Sequence, residues 1–272
     1  MNNPKKIAIH SVPRSGSSWL GEIFNSAPTT SFKFQPLFSY AFKGRLSPQS
    51  TKNDIEKFFE DISSSNDSFL NQEEKRMSQD YPRFKKSTTF DQIVYKEVRY
   101  HHILENMLSA QSDILLIGLI RNPLSVISSW LHAPKEFKKE LGWVELEEWQ
   151  YADKKNMGKP EEFNGYEKWK EVALLLHKLS TKYPDRVRLV NYDNLLWHTE
   201  LEVDNIFNFC GMPISQQTHD FIQYSRNTKN SDPYSVFRSN QTDDNWKSRL
   251  DSKIVNHIIK DLEGTKLESY LQ

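Results

Sequence analysis

The sequence predicts an α/β fold, a three-layer sandwich whose central, mainly parallel sheet is covered by helices on both faces. Short apolar runs typical of buried strands alternate with longer segments whose apolar residues recur at helical spacing. Most of the strand-like runs are apolar throughout, which is typical of parallel strands buried on both sides. With 272 residues and no internal repeat, we expect residues 1–272 to form a single domain.

Four segments are predicted strands: 7–11, 92–98, 114–120 and 187–192. The second of these alternates between apolar and polar residues, and the other three are continuous apolar runs. The periodicity also predicts helices directly after the first strand and at 123–131, 166–183, 201–210 and 246–262. Asn122 and Pro123 are suited to begin a helix. Gly211 and Gly264 are suited to end one.

Two charged stretches, at about 47–89 and 132–165, interrupt this alternation and contain short helical patterns. We interpret them as solvated surface insertions in the domain. A second interpretation stays open, because insertions beyond the carboxyl ends of parallel strands often cover the active crevice. In that case the two stretches would form walls of a substrate site.

The composition excludes several classes of protein. A formal net charge of zero, from 36 basic and 36 acidic residues, argues against a dedicated nucleic-acid or membrane-surface binder. The single cysteine, Cys210, excludes an intramolecular disulfide framework, and its apolar neighbours predict a buried, inert thiol. No stretch resembles a signal peptide or reaches membrane-spanning length, so we expect a cytoplasmic protein without membrane insertion. Composition carries no information on oligomeric state.

The segment 12–20, VPRSGSSWL, connects the first predicted strand to its helix. A turn at this position presents backbone N–H groups and the positive end of a helix dipole, which together attract anions. Gly16 permits close backbone approach, and Ser17 and Ser18 add hydroxyl groups. Arg14 adds a fixed positive charge. We interpret the segment as an anion-binding loop, since an ordinary capped turn needs only one serine.

This loop lacks the Walker pattern G-x-x-x-x-G-K-[ST], because Ser17 follows Gly16 and position 11 is also a serine. No obvious magnesium-binding aspartate ends the apolar strands. The sequence therefore favours a phosphoryl-like donor that needs no metal. A small-molecule kinase is kept as an alternative function, although it would require both missing features.

A second anion site is predicted at Arg121, which ends the strand 114–120. Ser125 and Ser129 lie one and two helical turns further on the same helix face. An arginine at a strand end and hydroxyl groups on the next helix can bind a second phosphate.

Together the two segments resemble the sulfotransferase family that uses 3′-phosphoadenosine 5′-phosphosulfate (PAPS). Residues 13–20 (PRSGSSWL) are similar to the family's 5′-phosphosulfate loop, P-[KR]-[ST]-G-[ST]-[ST]-x-L. Residues 121–129 (RNPLSVISS) are similar to its 3′-phosphate motif, R-N-P-x-x-V-x-x-S. The resemblance extends over about residues 5–265 and implies a fold like that of P-loop NTPases. It also implies that PAPS is the co-substrate, that 3′-phosphoadenosine 5′-phosphate (PAP) is the product, and that no metal takes part.

The resemblance assigns ten residues to PAPS. The first loop would hold the 5′-phosphosulfate and the second motif the 3′-phosphate, while the NYDNL segment would lie near the adenine. For Trp19, core packing stays open beside contact with the nucleotide ring. The residues assigned are Arg14, Ser15, Gly16, Ser17, Ser18, Trp19, Arg121, Ser129, Tyr192 and Arg238.

The general base is the least defined part of the site. GEIFNSAP…FQPL resembles the carbohydrate branch of the family, but Gln35 stands where that branch has a glutamate proposed as the base. We therefore look for the base in YKEVRYHH, around the end of the predicted strand 92–98, with Glu97 first and His101 second, followed by His102 or none of these residues. Lys96 and Arg99 flank Glu97, so a structural ion pair is the alternative role for that carboxylate.

The implied activity is transfer of a sulfuryl group from PAPS to a hydroxyl or amine acceptor, either a small molecule or a glycan. Arg14 would neutralise the charge that develops on the bridging oxygen as the sulfur–oxygen bond breaks. The loss of the glutamate at Gln35 keeps one further alternative open, a non-catalytic protein that binds a nucleotide or a glycan.

Overall fold

A computed structural model describes residues 3–78, 81–230, 232, 234–239 and 242–271 of the protein. In chain order, the strands are β1 (Lys5–His10), β2 (Thr30–Phe34), β3 (Gln92–Glu97), β4 (Ile114–Ile120) and β5 (Val187–Asn191). The α-helices are α1 (Ser17–Ser26), α2 (Lys52–Ser64), α3 (Glu73–Met77), α4 (Leu104–Ala110), α5 (Pro123–Leu131), α6 (Glu145–Glu148), α7 (Asp153–Asn156), α8 (Tyr166–Lys182), α9 (Tyr192–Trp197), α10 (Thr199–Phe209), α11 (Gln216–Asn227) and α12 (Ser252–Leu262). Single 3₁₀ turns occur at Pro36–Phe38, His101–Ile103, Lys139–Leu141, Asn245–Ser248 and Glu268–Tyr270.

The five strands form one parallel sheet in the order β2-β3-β1-β4-β5. Successive residues of β1 belong to different apolar clusters, Ala8 to one and Ile7 and Ile9 to the other. Because side chains alternate across a strand, the sheet has a hydrophobic core on each face. The predicted α/β sandwich is confirmed, and all carboxyl ends of the strands lie along one edge.

Four of these strands are the ones predicted from the sequence, and β2 is not among them. The sequence of β2, TSFKF, contains a lysine in its middle, which hides a buried strand from a search for apolar runs. Lys33 is nevertheless 5% exposed, because its Nζ donates to Ser65 O and Asn71 Oδ1, both at 2.8 Å. Hydrogen bonds of this kind compensate a buried ammonium group.

The predicted helices occur close to their expected positions, with one correction. Asn122 Oδ1 accepts a hydrogen bond from Leu124 N at 2.9 Å and caps α5 as predicted. The predicted helix 246–262 instead begins at Ser252, because Asp251 caps it by accepting from Lys253 N. Trp246 belongs to a separate 3₁₀ turn. Asp251 lies inside the apolar pattern 246–262, and its capping bond starts a new helix there, so the expected helix is divided.

The prediction of a solvated insertion is wrong for the inner face of α2. Ile55, Phe58, Phe59 and Ile62 are fully or almost fully buried in this helix. The rings of Phe58 and Phe59 each lie 5.7 Å from the ring of Tyr95 in β3. The helix therefore covers one face of the sheet and supplies part of its core.

The segment 132–165 combines buried and exposed apolar residues. Phe137 and Trp149 are buried, whereas Leu141, Tyr151 and Met157 are more than half exposed. The described residues contain no helix long and apolar enough to cross a membrane.

Cys210 is buried as predicted, with 1% of its surface exposed. Burial raises the pKa of its thiol to about 12, which keeps the reactive thiolate scarce at neutral pH.

Candidate functional site

A cavity of about 540 Å³ opens at the carboxyl edge of the sheet. Its wall contains residues that follow each of the five strands: Arg14 and Gly16 after β1, Gln35 after β2, Val98 and Arg99 after β3, Arg121 after β4 and Tyr192 after β5. Residues of the segment 230–249 form the opposite wall. Parallel α/β sheets commonly bind ligands at this edge.

The loop after β1 forms a cradle at the start of α1. Arg14 and Gly16 both have positive φ angles, 70° and 86°, which turn the chain sharply into the helix. No side chain caps α1 and its first turn contains no acidic residue, so its first N–H groups are available to an anion. Ser17 and Ser18 of this turn line the cavity.

Gly16 is required by space as well as by φ. A Cβ atom at this position would lie 2.3 Å from Cε2 of Tyr192, so the cradle and the tyrosine ring pack without a gap. We expect Gly16→Ala to lower the free energy of unfolding by about 2–4 kcal/mol, from overpacking and backbone strain together. Urea unfolding measures this change.

Gly142→Ala is the matched control, because Gly142 also has a positive φ (74°) but no atom lies within 4 Å of its added Cβ. We expect Gly142→Ala to lower the free energy of unfolding by about 1 kcal/mol, because it introduces backbone strain without overpacking. Equal losses in the two variants would contradict the role given to the Tyr192 contact.

The two predicted anion-binding motifs are joined by hydrogen bonds. Arg14 Nε donates to Ser129 Oγ at 3.0 Å, and Arg121 Nη1 donates to the carbonyl oxygen of Arg14 at 2.6 Å. The guanidinium of Arg14 also lies 4.9 Å from the ring centre of Tyr234. Arg121 and Ser129 come 107 and 115 positions after Arg14 in the sequence, and the tertiary structure brings the three side chains into one polar surface.

Arg121 forms a bidentate ion pair with Asp243. Its Nε lies 2.7 Å from Oδ2, and its Nη2 contacts Oδ1. Burial acts to lower the pKa of Arg121, but Asp243 outweighs it and the pKa is raised above its usual value. The guanidinium also stacks 4.8 Å from the ring centre of Tyr192. Asp243 therefore pairs with the guanidinium of Arg121, the group that is predicted to bind the second phosphate.

Arg238 lines the cavity on the same side as Asp243. Its Nη1 donates to the carbonyl oxygens of Ser235 and Phe237, at 2.7 and 2.6 Å, so part of the guanidinium stabilises its own loop.

The structure corrects the roles of two residues in the first loop. Trp19 has no exposed surface and its Nε1 donates to Ser225 Oγ at 3.0 Å, so it supports the cradle from the core and does not form its wall. Ser15 is also fully buried, and its Oγ has no hydrogen-bond partner among the described residues. Neither side chain is part of the cavity lining.

The three candidate bases also lie away from the described cavity lining. Glu97 is fully buried, and burial raises its pKa to about 7. His101 is fully buried beside His10, with 3.0 Å between their Nδ1 atoms, and burial lowers its pKa to about 3. His102 is half-buried, and burial lowers its pKa as well.

Lys96 is a cavity residue that the sequence analysis treated only as a neighbour of Glu97. Side chains alternate along β3, so Lys96 and Val98 face the cavity while Glu97 faces the core. Lys96 is 3% exposed, its Nζ lies 4.4 Å from the ring centre of Phe34, and burial lowers its pKa to about 7. The alternation of side chains along the predicted strand could have indicated that Lys96 and Glu97 point to opposite sides.

Glu136 and Asp243 are further wall residues that sequence reasoning missed. Gln35 lies in the wall as well, where its Oε1 accepts from Arg99 Nη1 at 3.2 Å. In the part of the chain that the structure describes, no group of three or more His, Cys, Asp or Glu residues could hold a metal ion.

The family model described as "Sulfotransferase domain" matches residues 4–268. The crystal structure of mouse sulfotransferase SULT7A1 complexed with PAP aligns with 98% of this chain and 88% of its own, with a TM-score of 0.54 and 14% identity. The sulfotransferase domain from the Curacin biosynthetic pathway aligns with 96% of this chain and 98% of its own, with a TM-score of 0.50 and 20% identity. Both likenesses are of fold. No curated protein sequence matches the chain.

Proposed function

The chain belongs to the sulfotransferase family, and from this we propose that it transfers a sulfuryl group from PAPS to a hydroxyl or amine acceptor. The observation that carries the proposal is the direct connection of the two anion-binding motifs, through Arg14, Ser129 and Arg121, at the carboxyl edge of the sheet. The structural neighbour SULT7A1, which was solved with PAP, supports the choice of donor.

The residues of the cavity fit both charged ends of PAPS. Arg14, Ser17, Ser18 and the free N–H groups at the start of α1 would hold the 5′-phosphosulfate. The 3′-phosphate would be held by Arg121, with Ser129 and Arg238 of the cavity lining as further donors. Tyr192 lines the cavity beside Arg121 and would contact the adenine side.

Sulfuryl transfer depends mainly on alignment and on neutralising charge, as phosphoryl transfer does. PAPS supplies a sulfuryl group bonded through a bridging oxygen to its 5′-phosphate. Arg14 is fixed by Ser129 and Tyr234, so its charge is in place before the bridging oxygen becomes negative. Lys96, whose side chain enters the same cavity, would bind the sulfuryl oxygens from the β3 side.

We propose a small-molecule or glycan acceptor, which would enter between the side of the cavity formed by Phe34 and Gln35 and the described residues Asp232, Tyr234 and Ser235. The reaction would need no metal, because its charge stabilisation comes from arginine, lysine and backbone N–H groups. PAP would be the product that leaves the cavity.

Titration calorimetry with PAP, AMP and ATP-magnesium tests the donor. Binding of PAP much tighter than binding of AMP is the expected result, because only PAP has the 3′-phosphate for Arg121. Binding of ATP-magnesium without binding of PAP would favour a small-molecule kinase. A protein that binds PAP and never converts PAPS to PAP, with or without acceptors, would be a non-catalytic nucleotide or glycan binder.

Asp243 competes with the 3′-phosphate for Arg121 in this assignment. We expect Asp243→Asn to strengthen PAP binding by about tenfold, because the neutral amide releases the guanidinium and no longer repels the phosphate. AMP, which lacks that phosphate, serves as the control ligand and should bind with unchanged affinity. Weaker PAP binding in the variant would mean that Asp243 instead orients Arg121 for the phosphate.

A further inference from the structure

The candidates at the end of β3 and just after it do not supply a base that reaches the acceptor, because Glu97, His101 and His102 are outside the described cavity lining. Gln35, which does line the cavity, cannot accept a proton usefully. The carboxylates of the described wall are Glu136, Asp232 and Asp243, and no described histidine contributes to it. Lys96 is assigned as a cation to the sulfuryl oxygens, so the choice is among these three carboxylates, from the two loops that follow α5 and α11.

Two of these carboxylates are occupied by other contacts. Both oxygens of Asp243 contact the guanidinium of Arg121, at the end of the cavity assigned to the 3′-phosphate. Asp232 Oδ1 accepts from Tyr234 N at 2.9 Å and so stabilises the turn of its own loop.

Glu136 lies beside the groups that would surround the sulfuryl group. Tyr234 connects them, because its ring lies against the Arg14 guanidinium and its hydroxyl accepts from Lys135 N at 3.0 Å. Glu136 directly follows Lys135, and its charge acts on both Arg14 and Lys96. The Glu136 side chain thus lines the same cavity as Arg14 and Lys96 and lies within electrostatic range of both.

The Glu136 carboxylate also has the freedom that a base requires. Its side chain is 23% exposed, and its ion-pair partner is Lys155 of α7, whose Nζ lies 3.4 Å from Oε2. The described residues make no hydrogen bond to its carboxylate. Among the described residues this 3.4 Å contact is the one ion pair of the carboxylate, so the carboxylate can turn toward an acceptor hydroxyl.

We propose that Glu136 is the general base of the transfer, supplied by the segment 132–165 in place of the glutamate that is absent at Gln35. This proposal rests on the proposed function. The carboxylate of Glu136 takes the proton of the acceptor hydroxyl as the acceptor oxygen forms its bond to sulfur. The bond between sulfur and the bridging oxygen breaks, and its electron pair stays on the 5′-phosphate of PAP beside Arg14.

The test uses water as the acceptor, because water enters the same open cavity. Conversion of labelled PAPS to PAP and inorganic sulfate is measured in single turnover, and PAP affinity is measured by calorimetry. We expect Glu136→Gln to slow conversion by about 10²–10⁴-fold, with the dissociation constant for PAP changed less than about threefold. The conversion rate should fall less in Glu136→Asp than in Glu136→Gln, because aspartate keeps a carboxylate. Added formate should restore conversion by Glu136→Ala, because it supplies a carboxylate from solution.

Glu140→Gln is the matched control, since Glu140 lies in the same segment, is 63% exposed and pairs with Lys138 outside the cavity. It should convert PAPS at the wild-type rate. The proposal is overturned if Glu136→Gln converts PAPS within about threefold of the wild type, or if PAP affinity falls in parallel with the rate. The proposed function itself is overturned if the wild type fails to bind PAP, or if it binds PAP and never converts PAPS.

Discussion

Arg14→Ala is expected to slow conversion of PAPS to PAP by about 10²–10³-fold, the usual effect of removing one donor that stabilises charge in the transition state. Arg14 is held by Ser129 and Tyr234, and it faces the start of α1 where the bridging oxygen would lie. PAP affinity should fall much less than the rate, because the helix N–H groups and Arg121 remain. Single-turnover rates and calorimetry separate the two quantities.

Two companion variants make this prediction specific. Arg14→Lys keeps the positive charge and should retain a rate within about tenfold of the wild type, since the family loop has either lysine or arginine at this position. Arg45→Ala removes an arginine that is 41% exposed and pairs with Asp61 away from the cavity, and it should leave the rate unchanged. A rate for Arg14→Ala within threefold of the wild type would contradict the role of Arg14.

Arg121→Ala is expected to weaken PAP binding by at least about a hundredfold. The variant removes charge-assisted hydrogen bonds to the 3′-phosphate, each worth about 1.5–3 kcal/mol. It also leaves the Asp243 carboxylate of the cavity wall without its compensating cation. Calorimetry with PAP measures the loss.

AMP is the internal control for this variant, because the contacts of Arg121 are assigned to the 3′-phosphate alone. AMP affinity should change less than about threefold. Parallel losses for PAP and AMP would show that Arg121 instead supports the loop through its hydrogen bond to the carbonyl of Arg14. In that case the assignment of the 3′-phosphate to Arg121 would be wrong.

Most of the fold followed from local patterns. The apolar runs of β1, β4 and β5 must be buried whatever surrounds them, and Asn122 caps α5 by a bond to an amide two residues away. The misses have a common cause. Lys33 hid the strand β2, since its ammonium group is satisfied by Ser65 and Asn71, which no local window contains. The charged residues of α2 hid its apolar face, which packs against Tyr95 of a strand distant in sequence.

The sequence by itself determined the two motifs of the cavity, because a cradle needs a fixed order of arginine, glycine and serine within one turn. Only the tertiary structure decided which ionisable side chains reach the cavity. Glu97 and Lys96 are adjacent in sequence but lie on opposite faces of β3, and the pleat of the strand sends the lysine to the cavity and the carboxylate to the core. Glu136 and Asp243 reach the cavity from loops distant in sequence, because residues far apart become neighbours only when the sheet is assembled.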